Sequence, residues 1–500
     1  MSIKIFSALT LFVLGAVLAT VAELPYGGWI QIPILSLLWW RLDPHTPVTF
    51  KKQFALGLCF GVGYFVVGLW WLYISLHDVG GMNALLACMG VFLLSTYVAI
   101  YFSCATLAIP LLKKNRCTGL FLAASWVLSE FLRGYIFTGC PWMGFAETQF
   151  NGPFAPIAPF FGGLACTFLA VWTSWEIYQL RKHVTSSVAL IAIVIATSQS
   201  AGIFTFTKPT GEPISVRLIQ GNFEQSLKFN PQAIGRQIDF YAAEITKQAA
   251  DLIIIPETAF PWPIPNLPIG LLDYLQGFAN SSKSNILLGL IGEVSGANGM
   301  QYSNRATGLS PNAPPYQYDK SHLVPFGEFI PPGFQWFVKA FHVPMSDFAR
   351  GNLDQAPFAI QRRDQLDIYA AITICYEDVF GGELASRIRQ SEKPVNLLIN
   401  MTNLAWFGES QASSQQLRLS QLRSLETGLP VLRATNTGIT AVLGSDGKVL
   451  QTLPEFTQTT LSAQVQPYSG KTPYVIWGNL PILGVSCLLM LLGLIRYRRF

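Results

Sequence analysis

Of 500 residues, 51% are hydrophobic and only 12% are charged, whereas an ordinary soluble domain carries about 25% charged residues. That balance excludes a plain soluble globule, and the formal net charge of +5 is not gathered into the Lys/Arg clusters that a nucleic-acid footprint needs. The bias is uneven. Long apolar runs dominate residues 1–206 and 476–495, while 207–474 has globular composition, so a membrane domain carrying one polar domain is expected.

Taken in chain order, eight segments approach the roughly 20 apolar residues that cross a bilayer. They lie near 5–21, 28–41, 53–76, 84–112, 118–136, 157–180, 187–205 and 476–495. The second is short enough to be re-entrant, and the fourth must tilt, bend at Pro110 or extend beyond the lipid. Positive charge recurs on alternate connections: Lys4; Arg41, Lys51 and Lys52; Lys113, Lys114 and Arg116; Arg181 and Lys182; Arg496, Arg498 and Arg499. The opposite side carries only Arg133, three residues after Glu130 on one helical face and so expected to have a partner. By the positive-inside rule both termini are cytoplasmic and 207–474 lies outside. The opening "MSIKIFSALTLFVLGAVLATVAEL" also has the form of a signal peptide; an uncleaved anchor is expected, because the next span follows within a few residues.

Within the polar region "ISVRLIQGN" precedes a helix over about 231–249, with Ile234, Ile238, Ala242 and Ile245 on one face. "DLIIIPE" is a continuous apolar run, as for a strand buried on both faces. "NILLGLIGEV", "NRATGLS" and "PYQYDK" follow. "LDIYAAITI" leads into a helix in "YEDVFGGELASRIRQ", and "VNLLINMTN" into a helix over about 411–427. "PVLRATNTG", "ITAVLGSDG" and "LSAQVQ" complete an alternation that predicts a layered α/β sheet with helices outside. The expected domains are 1–206, 213–468 and 476–496.

Seven cysteines, Cys59, Cys88, Cys104, Cys117, Cys140, Cys166 and Cys487, fall in or beside apolar segments as small packing residues. Cys375 stands alone in the polar region and cannot form a disulfide within it, although an extracytoplasmic compartment would permit one. It reads either as a small buried hydrophobe or as a nucleophile. Its place at the carboxyl end of a strand, where α/β folds bind ligands, favours the second, and Glu377 and Asp378 beside it are hard to bury without purpose. Two other stretches put polar residues after an apolar strand: "IIIPETAF" with Glu257, and "YDKSHLVPFGEFIP" with Lys320 and Glu328. Singly, each also suits a turn, a cap or a surface charge. Together, a carboxylate takes the thiol proton and an ammonium favours thiolate and steadies an oxyanion, a set suited to acyl transfer through a thioester. His322 and His342 leave a Cys–His dyad open. No metal-ligand spacing or phosphate loop occurs, so neither metal nor cofactor is expected.

These three stretches resemble the carbon–nitrogen hydrolase (nitrilase) superfamily, whose Glu–Lys–Cys triad has this chain order, over roughly 213–466. With seven spans before and one after, the whole chain resembles the apolipoprotein N-acyltransferases of the bacterial inner membrane. The resemblance implies a multi-pass helical membrane domain of about eight spans and an α/β nitrilase-like αββα sandwich facing the periplasm. It implies Glu257 as general base, Cys375 as nucleophile, and Lys320 with the Tyr376 N–H as oxyanion stabilisers. Glu328 and Glu377 would orient Lys320 or assist proton transfer, and Asn304 would lie near the site. The implied acyl donor is a phospholipid, typically phosphatidylethanolamine, and the acceptor the N-terminal S-diacylglyceryl-cysteine of an apolipoprotein. Phe229 departs from the pattern: relatives are expected to carry Trp there, and Phe lacks the indole N–H.

Aromatic residues Phe260, Trp262, Phe334, Trp336, Phe337, Phe341, Trp406 and Phe407 fall in non-strand positions, either as packing under loops or as a lid at the lipid interface. Residues 334–345 are expected to line the acyl-chain entrance, with Trp336 and Phe341 as contacts. A membrane-tethered amidase passing its acyl group to water would use the same triad. A transporter would need more ionisable residues in its spans than Glu130, Arg133 and Glu176.

Overall fold

The computed structural model describes residues 2–498 except 43–47, 112–116, 226–229, 297–298, 332, 334–346 and 363–364. It divides into two units, one of Met1–His77, Asn83–Thr205 and Trp477–Phe500, the other of Asp78–Met82 and Phe206–Ile476.

In the first unit each of the eight apolar segments contains a helix: Ser2–Val21, Gly27–Arg41, Phe50–Gly68, Ala84–Thr106, Thr118–Arg133, Gly163–Gln179, Val184–Ala201 and Leu480–Arg498. Among the described residues three helical stretches are long and apolar enough to cross a membrane, Phe50–Gly68, Ala84–Pro110 and Val184–Ala201; Ser7–Val21 and Leu480–Ile495 are apolar but shorter. Breaks fall where the backbone dictates. The fourth helix is interrupted after Thr106, because Pro110 has no N–H to offer the Thr106 carbonyl. The sixth begins after Gly162, whose φ of 76° suits glycine. The first and third helices meet backbone to backbone: a Cβ on Gly15 or Gly63 would stand 2.0 Å from the Phe60 or Phe12 carbonyl oxygen. Arg133, buried, donates to the carbonyls of Cys140, Pro141 and Trp142, while Glu130 accepts from the Phe145 N–H and the Thr167 hydroxyl. Its partners thus include backbone carbonyls, and the two charges fold the 139–145 loop onto the helix end.

The second unit is built on two large sheets, with a two-stranded pairing of Thr207–Pro209 and Tyr468–Gly470 beside them. One runs Thr459–Val465, Ile214–Gln220, Leu252–Ile254, Asn285–Gly296, Gly299–Leu309, Tyr316–Asp319, with Phe260–Pro263 paired to Asn285–Gly296. The other runs Val449–Thr452, Ala441–Leu443, Val431–Thr435, Leu397–Thr402, Ile368–Ile374, Phe358–Ile360. Alternation along each strand explains the layers, since successive side chains point to opposite faces. Leu252 and Ile254 pack with Ile372, Ile374 and Ile399 between the sheets. Ile253 instead faces outward onto Ile234, Ile238 and Ile245 of the helix Pro231–Thr246. On the outer face of the second sheet Leu398 and Val431 meet Leu384 and Ile388 of the helix Gly381–Gln390. Helices therefore cover both outer faces, giving the expected αββα order.

One local expectation needs correction. Phe260 and Trp262 lie in the strand Phe260–Pro263, not in a loop, because that stretch hydrogen-bonds alongside Leu290 and Ile291. "NRATGLS" is a strand as expected, beginning earlier, at Gly299, and running to Leu309 as the return arm of a long hairpin with Asn285–Gly296.

Candidate active site

Leu397–Thr402 runs parallel to Ile368–Ile374, so Asn403 and Cys375 leave the same edge of one sheet. Glu257, which follows Leu252–Ile254 of the other sheet, meets that edge by accepting from the Asn403 N–H. Lys320 follows the strand Tyr316–Asp319, whose last residue is held by Arg305 through Nε at 2.7 Å and Nη2 at 2.9 Å. Glycine at 289 lets the Glu257 turn lie close over its sheet: a Cβ there would sit 2.0 Å from the Pro256 carbonyl oxygen.

Glu257, Lys320, Glu328 and Asn304 form one buried cluster. Lys320 is 1% exposed, and its Nζ donates to Glu328 Oε1 at 2.9 Å and Glu257 Oε1 at 3.3 Å. Asn304 Nδ2 donates to the same two oxygens, at 2.7 Å for Glu257 and 2.9 Å for Glu328. The remaining oxygens take backbone N–H groups, Asn403 to Glu257 Oε2 at 2.9 Å and Val324 to Glu328 Oε2 at 2.8 Å. Both carboxylates are thereby fixed in orientation.

The strand ends at Ile374. Cys375 has φ 50° and opens a tight turn, Cys375–Val379, before the helix Gly381–Gln390. For a residue with a Cβ the left-handed region is strained by about 1–2 kcal/mol, so neighbouring contacts must hold the nucleophile candidate in place. Glu377 supplies part of that hold. Its Oε2 accepts from the Ile374 N–H at 2.7 Å and the Tyr318 hydroxyl at 2.9 Å, and its Oε1 from the Ser321 N–H and hydroxyl, each at 2.7 Å. One carboxylate therefore ties the Cys375 turn to the residue after Lys320.

Charges converge on the sulfur. Burial is the largest influence on the Cys375 thiol, the Glu257 charge adds to it, and together they push its pKa up to about 12 against the opposing pull of Lys320 and a Thr402 hydrogen bond. Lys320 is disfavoured as a cation by burial, yet Glu328 and then Glu257 outweigh this and hold its pKa above the usual lysine range. The resting arrangement is a neutral thiol beside an ion pair. Such a set can pass the thiol proton to a carboxylate during attack while the ammonium faces developing negative charge. Among the described residues no group of three or more His, Cys, Asp or Glu side chains is placed to hold a metal ion.

The structure thus brings together Glu257, Lys320, Cys375, Asn304 and Glu328, with Glu377 one layer behind. Tyr376 stands beside the thiol in sequence, its ring 5.2 Å from Phe380 and 5.9 Å from His322. His322 turns Nδ1 to Glu383 Oε1 at 3.2 Å and stacks on Phe380. Trp406 and Phe407 sit half-buried on the short helix Ala405–Phe407. Phe229, Phe334, Trp336, Phe337, Phe341 and His342 lie outside the described residues. Sequence reasoning passed over Asn403, Thr402 and Gln225, which accepts from Asn403 Nδ2 at 3.3 Å. The signal was present in "INMTN", where polar residues follow an apolar strand as they do in "IIIPE".

A carboxylate, an ammonium and a thiol at strand ends of an αββα sandwich define a carbon–nitrogen hydrolase-type domain, and the Carbon-nitrogen hydrolase family model matches residues 215–474. The model of the apolipoprotein N-acyltransferase N-terminal domain matches residues 15–175. Curated relatives named apolipoprotein N-acyltransferase include one from Ralstonia nicotianae, 39% identical over 97% of this chain and 92% of that protein. Another from Nitrosomonas europaea is 37% identical over 93% of this chain and 91% of its own, and one from Haemophilus influenzae is 34% identical over 96% and 93%. The chain belongs to the apolipoprotein N-acyltransferase family, and it is an acyltransferase. A crystal structure of a CN-hydrolase superfamily protein from Xanthomonas campestris is 17% identical over 51% of this chain and 91% of its own, with a TM-score of 0.37.

Proposed function

We propose that this enzyme moves a fatty acyl chain from a phospholipid, typically phosphatidylethanolamine, to the α-amine of the S-diacylglyceryl-cysteine that begins an apolipoprotein, completing bacterial lipoprotein maturation. Cys375 Sγ attacks the ester carbonyl carbon as its proton passes to Glu257. Lys320 Nζ and the Tyr376 N–H face the oxyanion, and Glu328 and Asn304 keep Lys320 and Glu257 in register. Collapse breaks the ester C–O bond, the departing lysophospholipid alkoxide takes the proton back from Glu257, and a thioester remains on Cys375. The acceptor amine then attacks the thioester carbonyl and gives its proton to Glu257. An amide forms, and the departing thiolate is reprotonated.

The reading includes a membrane domain of eight spans over 1–206 and 476–496, with 213–468 as the catalytic domain facing the periplasm of the inner membrane. Support for that orientation is the alternation of Lys and Arg along the connections. Phe229, Trp336 and Phe341 are assigned to substrate contact. The observation that carries the chemistry is the buried Lys320 ammonium bonded to Glu257 and Glu328, with the charges of Lys320 and Glu257 both acting on the Cys375 thiol. Intact-mass analysis of the purified enzyme with phospholipid tests it. A fatty-acyl adduct on wild type and none on Cys375→Ser is expected, with lysophospholipid release requiring an amine acceptor for turnover. Release of free fatty acid at equal rate without an amine would instead favour a hydrolase.

A further inference from the structure

The carbonyl of Cys375 is gripped by two side-chain amides. Gln416 Nε2, on the helix Ala412–Thr427, donates to it at 3.0 Å, and Asn400 Nδ2, on the strand Leu397–Thr402, at 3.4 Å. The other ends of both amides face one guanidinium. Arg433 Nη2 donates to Gln416 Oε1 at 2.9 Å, and Arg433 Nη1 to Asn400 Oδ1 at 3.1 Å. Asn400, Gln416 and Arg433 are each 0% exposed. Chemistry fixes the sense of this arrangement. A side-chain amide has one donor end and one acceptor end, whereas a guanidinium can only donate. The oxygens must therefore face Arg433, and both NH2 groups must face the Cys375 carbonyl.

Arg433 is itself immobilised. Its Nε donates to the Ile439 carbonyl at 3.1 Å, its Nη1 to Ser420 Oγ at 3.1 Å, and it stands 3.7 Å from Asp378 Oδ2. Asp378 belongs to the Cys375–Val379 turn and also accepts from Thr373 Oγ1 at 2.8 Å. The network thus begins and ends in the nucleophile's own turn.

The grip matters because of what shares a plane with that carbonyl. The C=O of Cys375 and the N–H of Tyr376 belong to one rigid trans peptide unit and point in opposite directions. Holding the oxygen on one side aims the N–H to the other. Without the grip, Cys375 would relax from its φ of 50°, and the N–H would swing with it.

We propose that Arg433, acting through Asn400 and Gln416, is a positioning residue that clamps the Cys375–Tyr376 peptide plane so that the Tyr376 N–H is aimed at the oxyanion of the acyl-transfer intermediate. The proposal rests on the acyl-transfer reading above.

Gln416→Glu separates this role from a structural one. The carboxylate keeps a partner for Arg433, which also holds it ionised, but turns an oxygen instead of an N–H toward the Cys375 carbonyl. Three quantities are measured: the rate of acyl-enzyme formation from phospholipid, KM for phospholipid, and alkylation of Cys375 by iodoacetamide, followed by peptide mass spectrometry. Alkylation forms no oxyanion. The clamp therefore predicts that acylation falls on the order of 100-fold, the scale of a lost oxyanion donor, while KM stays within about threefold, alkylation slows by no more than about tenfold through the added charge, and the melting temperature is kept. If Gln416→Glu does not fold, Asn400→Asp makes the same exchange on the other amide. Unchanged acylation, or alkylation falling in step with acylation, would overturn the clamp. A wild-type enzyme that forms no acyl adduct on Cys375 would overturn the acyl-transfer reading and the clamp with it, whereas a wild-type adduct with equal acylation in the variant would overturn the clamp alone.

Discussion

Replacing Glu257 with glutamine removes one negative charge from beside the Cys375 thiol and leaves the side chain's size unchanged. With its Oε1 toward Asn304 and Lys320, the new amide places its NH2 against the Asn403 N–H that the carboxylate accepted at 2.9 Å. One buried donor loses its acceptor, a cost of about 1–3 kcal/mol, which a stable domain withstands. The electrostatic consequence is larger. At an effective dielectric near 20 a neighbouring unit charge acts with about 3 kcal/mol, roughly two pKa units. The thiol, pushed up to about 12 by burial and then by Glu257, should fall in the variant. The sign is decisive. At pH 8 the thiolate fraction rises about 100-fold, and the lower basicity of that thiolate takes back about tenfold in nucleophilicity. Alkylation of Cys375 by iodoacetamide, followed from pH 7 to 11, should therefore quicken about tenfold. Acyl transfer should drop by about 10²–10⁴-fold, because no group remains to shuttle the proton. A thiol that becomes more reactive to an alkylating agent and less productive with an ester identifies Glu257 as the base. Slower or unchanged alkylation, or less than a tenfold loss of acyl transfer, would refute the reasoning.

Lys320→Met should act with the opposite sign. Two buried carboxylates lose their shared cation, which costs about 3–5 kcal/mol, so the melting temperature falls and Cys375 alkylates more slowly at each pH below the wild-type thiol pKa. Gly289→Ala places a methyl group 2.0 Å from the Pro256 carbonyl oxygen; displacement of Glu257 should reduce acyl transfer about tenfold or more, read as kcat with the phospholipid donor. Glu377→Gln turns an NH2 toward donors from Ile374, Tyr318 or Ser321. Loosening of the Cys375 turn should lower kcat about 10–100-fold with KM nearly unchanged, the pattern of a group that serves the transition state.

Much of the site was legible because strand ends carry their own mark. "IIIPE" and "ITICYE" each pass from apolar to charged within two residues, and such steps point at the carboxyl edge of a sheet. The supporting network was not legible in the same way. Arg433 and Asn400 lie inside strands of mainly apolar side chains, and Gln416 on a helix of mixed composition; nothing local separates a clamp from an ordinary polar residue. Their roles follow from three elements packing on one carbonyl. The aromatic stretch "FPWP" misled for a related reason: its proline content suggests a loop, whereas Asn285–Gly296 offers it an edge to pair with.

By itself the amino-acid order determined the apolar segments that become helices, the alternation of charge around them, and the two-faced strands of the polar region. These properties are read within a few residues, because hydrophobic periodicity and turn chemistry act locally. Only the tertiary structure decided that Lys320 would serve two carboxylates at once and that Glu377 would brace the turn instead of meeting the thiol. It also decided that Cys375 would be held left-handed by groups from a strand, a helix and a second strand. Those outcomes depend on which distant side chains share a buried space, where an unmet hydrogen bond or unpaired charge costs several kilocalories, and no spacing along the chain records that sharing.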